Sequence, residues 1–133
     1  FSCFRAPSEN PVFTEVGRLL PGNGRPPEPD TAPGPFAFAD RAYAEALLYR
    51  SGWTGIEFEP FDFSMIVGAG TDPVADAAAY FTRIGPAARA LAEMAADERA
   101  RCEQRISELA LRNCFEGIVG LRAGAWIVSA RKP

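Results

Sequence analysis

Residues 125–130, AWIVSA, have no polar face. Trp126, Val128 and Ala130 share one parity, and Ala125, Ile127 and Ser129 share the other, so both faces are apolar or small. A half-solvated strand alternates apolar with polar residues, whereas a strand like this belongs inside a sheet covered on both sides. It needs strand neighbours to left and right and helical layers above and below. Two other segments are patterned as strands. One is the opening FSCF; the other is TGIEFEPFDFSMIV, residues 54–67. Three strands so widely spaced make a poor sheet alone, so the chain reads as part of a larger α/β sheet. Its start in mid-pattern carries the same expectation, that the sheet begins before Phe1.

Between these strands the punctuation is clear. RAPSENPVF reads as a loop, followed by a short helix with Phe13, Val16, Leu19 and Leu20 at helical spacing. PGNGRPPEPDTAPGP is too rich in Pro and Gly for regular structure. Asp40 is placed to cap a helix that stops at Gly52, with Ala42, Tyr43, Ala46 and Leu47 as its apolar side. In the second strand Ile56 and Phe58 share one parity and Phe61, Phe63 and Met65 the other. The switch falls at Pro60, which predicts a bulge or break and an edge position. Asp72 and Pro73 open a helix ending at Gly85, and Pro86 opens another segment. A longer charged helix follows, with Cys102, Ile106, Leu109 and Leu111 as its apolar side.

Composition removes several chemistries. With no His, the Ser-His-Asp and Cys-His pairs and the commonest zinc ligand are gone. Cys3, Cys102 and Cys114 lack metal-ligand spacing, so no metal is expected; scattered cysteines of odd number fit a reducing cytoplasm. A net charge of −3 argues against a nucleic-acid footprint, which needs a basic face. No run of about 18 apolar residues predicts a membrane span, and the opening is unlike a signal peptide.

PGPFAFADRAYAEALLYRSGWTGIEFEPFDF resembles the C-terminal half of bacterial class I S-adenosylmethionine-dependent methyltransferases of the small-molecule type. FSCFRAPSENP is similar to that family's fifth strand and the loop after it, and GAWIVSARKP to its seventh strand. The resemblance implies an α/β fold, the C-terminal part of a Rossmann-like sheet comprising strands five, six and seven. It also implies a helical insertion at about 70–116 within a single domain, 1–133. The seventh strand would run antiparallel between the fifth and sixth, leaving the sixth at an edge. In such enzymes a glycine-rich loop after the first strand and an acidic residue ending the second bind the methyl donor. Neither is read here, and no glycine-rich turn is read between a strand and a helix. PGNGRPPEP has no strand before it or helix start after it, so it does not qualify as a phosphate or nucleotide loop. S-adenosylmethionine is therefore implied for a whole enzyme and is not expected to bind this chain tightly.

Ligands of open α/β sheets bind beyond the carboxyl ends of parallel strands. That places Arg5, Ser8, Glu9 and Asn10 at a substrate rim. Arg5 suits a forked pair of hydrogen bonds to an acidic group, and Glu9 can orient a substrate amine or hydroxyl or take its proton. The alternative is that Glu9 and Asn10 make turn contacts while Arg5 pairs with a carboxylate. Asp62 reaches the site or is a solvated edge carboxylate. Phe36, Phe61 and Tyr80, with Phe38, Phe63 and Phe81, line an apolar substrate pocket or are simply core. The insertion is a lid or a packed cap.

Two functions follow. The first is the substrate side of a methyltransferase acting on a small molecule, its catalytic residues unassigned. The second is a non-catalytic α+β domain that binds an apolar ligand or protein partner and forms a homodimer through its open sheet edge.

Overall fold

The computed structural model describes residues 1–21, 31–84 and 86–132. Gly85 and most of the PGNGRPPEP segment lie outside them. The elements in chain order are β1 (Ser2–Phe4), α1 (Pro11–Leu19), α2 (Arg41–Arg50), β2 (Thr54–Gly68), α3 (Pro73–Arg83), α4 (Pro86–Glu93), α5 (Ala96–Arg112), β3 (Cys114–Phe115) and β4 (Ile118–Arg131). The fold is mixed α/β, with an open antiparallel sheet ordered β1–β4–β2 and β3 paired to β4. The described residues form two compact units, one of residues 1–11, 31–63 and 122–132, the other of 12–21, 64–84 and 86–121. Both long strands contribute to each.

In the first unit β4 is the central strand. Ser2, Cys3 and Phe4 pair with Ile127, Trp126 and Ala125. The Val128 amide donates to Phe1 O at 2.8 Å. Trp126 fixes the sheet to the segment before α2, since its indole N–H donates to Ala39 O at 3.1 Å and its ring meets Phe58 edge-on at 6.0 Å. Coverage of residues 125–130 differs from the two-sided expectation. Val128 and Ala125 are buried, but Ile127 is 42% exposed and Ser129 is exposed, so the odd face is open beyond Ala125. A run of apolar residues signals burial only when something exists to cover it.

The caps behave as their chemistry dictates. Asp40 accepts from the Tyr43 amide at 3.1 Å, and Gly52, at φ 83°, ends the helical path. The buried side of α2 is only partly the one expected. Ala44 is buried with Tyr43, Leu47 and Leu48 half-buried, while Ala42 and Ala46 face solvent. Along β2 the half-buried parity passes from Ile56 and Phe58 to Phe63 and Met65, yet the strand runs unbroken through Pro60. An edge strand has one side that needs no donor, so Pro is tolerated without interruption.

The second unit is helical. Asp72 accepts from the Ala75 amide at 3.0 Å, and α3 packs on α5 and α4 through a core including Ala77, Phe81, Leu91, Ile106 and Leu109. On α5 the buried stripe is Cys102, Ile106, Leu109 and Ala110. Leu111, expected on that stripe, is one step around the helix and 65% exposed. A Cβ on Gly68 would lie 2.1 Å from Pro73 O, so only glycine lets the end of β2 approach α3 this closely. The strand patterning missed β3 and the start of β4. Cys114 and Phe115 pair with Val119 and Ile118 around Glu116 and Gly117, which have φ of 48° and 78°. Two left-handed central residues are the pattern of a type I′ hairpin turn. Among the described residues no helix is long and apolar enough to cross a membrane.

Candidate functional site

The segment leaving β1 is fastened to β4 at Gly124. The Arg5 amide donates to Gly124 O at 2.9 Å, and Pro7–Glu9 form a 3-10 turn. Asn10 closes the arrangement. Its Nδ2 donates to Arg5 O (3.1 Å), Ala6 O (3.0 Å) and Gly124 O (3.1 Å), and its Oδ1 accepts from the Gly124 amide at 2.9 Å. The residue is wholly enclosed, and this amide supplies partners that water cannot. The structure thus places Asn10 inside the turn, where it ties Arg5 and Ala6 to Gly124.

Arg5 is fixed from several directions. Its guanidinium lies over the Trp126 ring, with Cζ 5.6 Å from the centroid, and across the space a side chain at 124 would fill. A Cβ on Gly124 would stand 2.6 Å from Arg5 Nη2 and 2.9 Å from Nε. Asp62 Oδ1 accepts a hydrogen bond from Nη2. Glu9 Oε1 is 3.1 Å from Nε. That second contact is Coulombic, because the buried Nε has no hydrogen-bond partner. The Arg5 side chain is about one-tenth exposed, against 43% for Glu9 and 70% for Asp62. The arrangement is a buried cation presenting two solvent-facing carboxylates.

The other expected site residues fall elsewhere. Ser8 is exposed on the 3-10 turn. Phe36 packs against Phe4 at 6.3 Å between ring centroids. Phe61 stacks on Phe63 at 5.6 Å and lines an apolar groove of about 430 Å³ with Phe4, Phe38, Ala125 and Ile127. Phe61 and Asp62 are successive in a strand, so groove and ion cluster occupy opposite faces. Tyr80 belongs to the second unit, edge-on to Phe81 at 5.4 Å. Cys3 also borders the groove, and burial pushes its thiol upward against the lowering pull of the N-terminal ammonium.

Gly124 and Trp126 shape the cluster, yet sequence reasoning did not assign them to it. The available signal was a glycine inside a strand pattern, which marks close approach by another group. The structure also has a glycine-containing strand–turn–helix that patterning overlooked, running from Gly68 through Gly70 into α3. Asp72 and Asp76 occupy it, the latter accepting from the Ala69 amide at 3.1 Å. Two carboxylates at that helix start oppose anion binding. Among the described residues no three His, Cys, Asp or Glu are placed to hold a metal ion. No protein family, curated protein or solved structure matches the chain.

Proposed function

We propose that this chain is the C-terminal, substrate-side portion of a class I S-adenosylmethionine-dependent methyltransferase acting on a small molecule. One observation carries the reading: the last strand, β4, lies between β1 and β2 in an antiparallel sheet. This is the order the resemblance implies for the seventh strand between the fifth and sixth. The Arg5, Glu9 and Asp62 cluster then stands where β1 ends, the rim at which open α/β sheets take ligands. The Gly68–Gly70 turn follows β2, the strand matched to the family's sixth, and is not the first-strand turn by which such enzymes hold the methyl donor. The donor's place is assigned to chain preceding Phe1, and the role here is to complete the sheet and bind the acceptor. Dimerisation through β2 is disfavoured because Glu57, Glu59, Pro60 and Asp62 guard that strand, and the open edge of β1, on which the homodimer alternative rests, is a strand of only 3 residues.

The coding sequence ahead of Phe1 tests this reading. A glycine-rich strand–turn–helix is expected within roughly 100–150 residues, one domain's length. The longer product should transfer labelled methyl groups from S-adenosylmethionine to a small-molecule acceptor. This chain alone should bind the donor poorly in calorimetry. Tight stoichiometric binding by the isolated chain, or an in-frame start codon immediately before Phe1, overturns the proposal.

A further inference from the structure

The two faces of the first unit's sheet differ in chemistry. Pairing of Ser2 with Ile127 and of Phe4 with Ala125 turns those four side chains to one face, opposite the Arg5 cluster. With Phe61 and Phe63 they border the groove of about 430 Å³. None of the described residues lining it carries a charge, in a chain with 14 basic and 17 acidic side chains. Cys3 supplies none either, since burial raises its thiol above the ordinary value of 9.0. The Phe61 and Phe63 rings lie 5.6 Å apart at 22°, and Phe61 is 51% exposed, so their stack ends in a ring half open to solvent.

We propose that this groove binds a small, neutral, planar aromatic molecule whose ring lies against Phe61. A flat ring continues the offset stack that Phe61 and Phe63 begin, whereas a puckered ring gains the same burial without it. A charged ligand would leave water for walls that hold no counter-ion. Size favours a small molecule over a second copy of the chain: ligand sites enclose roughly 300–1,000 Å³, while a dimer contact spreads over about 800 Å² per partner. Nor does the chain immediately preceding Phe1 fill the groove. The Phe1 amino group donates to Val128 O at 3.0 Å, so a strand extended backward from it runs toward Ser129, away from Ala125. The groove and the Arg5 cluster occupy opposite faces, so this ligand is independent of the methyltransferase reading.

Four ligands on one carbon skeleton test this: 2-naphthol, decahydro-2-naphthol, 2-naphthoate and 2-naphthylmethylammonium, titrated at neutral pH. Saturable ring-current shifts of the Ala125 and Ile127 methyl groups should accompany naphthol binding. Naphthol should bind at least about threefold more tightly than its saturated analogue and at least about tenfold more tightly than either ion. Phe61→Leu keeps apolar bulk at a half-exposed position, so the fold should persist by far-ultraviolet dichroism while naphthol and decahydronaphthol converge. Preference for either ion, equal binding of the saturated ring by the unaltered chain, shifts that do not saturate, or indifference to Phe61→Leu overturns the inference. Methyl transfer by the longer product leaves it standing, and loss of naphthol binding leaves the enzyme reading standing.

Discussion

Two turns in this protein achieve rigidity by opposite means. The turn from Arg5 to Asn10 is written in side chains: one enclosed amide bonds three carbonyls and one backbone N–H. The hairpin between β3 and β4 is written in backbone angles, with Glu116 and Gly117 both at positive φ and Phe115 and Ile118 left exposed. The first turn cannot lose its key residue without stranding buried polar groups. The second tolerates almost any side chain that accepts the left-handed region, and Glu accepts it poorly. A turn specified by side chains carries chemistry at a fixed address, whereas one specified by angles only reverses the chain.

The sharpest way to break the contrast is Asn10→Ala. It removes the Asn10 bonds to the enclosed Arg5 carbonyl and Gly124 amide, while Ala6 O keeps the Glu9 amide and Gly124 O the Arg5 amide, and the expected loss is about 3 kcal/mol in urea denaturation. A loss below about 1 kcal/mol would mean that water replaces the amide and that the turn is not side-chain specified. Alkaline pH gives a smaller effect. Burial pushes the Cys102 thiol above its ordinary value of 9.0, the Arg105 charge partly opposing and Glu103 and Glu98 reinforcing. The folded state therefore holds its proton longer than the unfolded one. That contribution is fully present below about pH 9 and is lost as pH rises through the folded value. Its slope is at most about 1.4 kcal/mol per pH unit for this thiol. Cys102→Ala should flatten the decline of the urea midpoint above pH 9, and an unchanged slope would assign the decline elsewhere. The smallest effect has the opposite sign. Glu116→Gly relieves a left-handed Glu and should raise stability by about 0.5–1 kcal/mol. A loss would show that the hairpin also depends on its side chains.

The same division decides what could be read in the sequence. Helix starts at Asp40 and Asp72 were legible because a cap is a local bond between residues three apart. The centrality of the last strand was legible because its pattern forbids an edge. The face of α2 and the exposure of Leu111 were not, because helical spacing admits adjacent stripes and only the packing partner selects one. The hairpin escaped because Glu-Gly is not the usual pair for its turn. Of the site, Arg5 and Glu9 were legible as charges just past a strand end, whereas Asp62, expected near the end of its strand, lies midway along β2. Their common edge was not, since Asp62 reaches Arg5 across 57 positions of chain. The enclosure of Asn10 depends on Gly124, a partner 114 residues away.

Trp126 is one of only two tryptophans. Its indole is tethered to Ala39 O and lies beneath the Arg5 guanidinium. The chromophore is thus wired to the cluster it supports. Its emission supplies a label-free optical gauge of that cluster, most cleanly in a Trp53→Phe background.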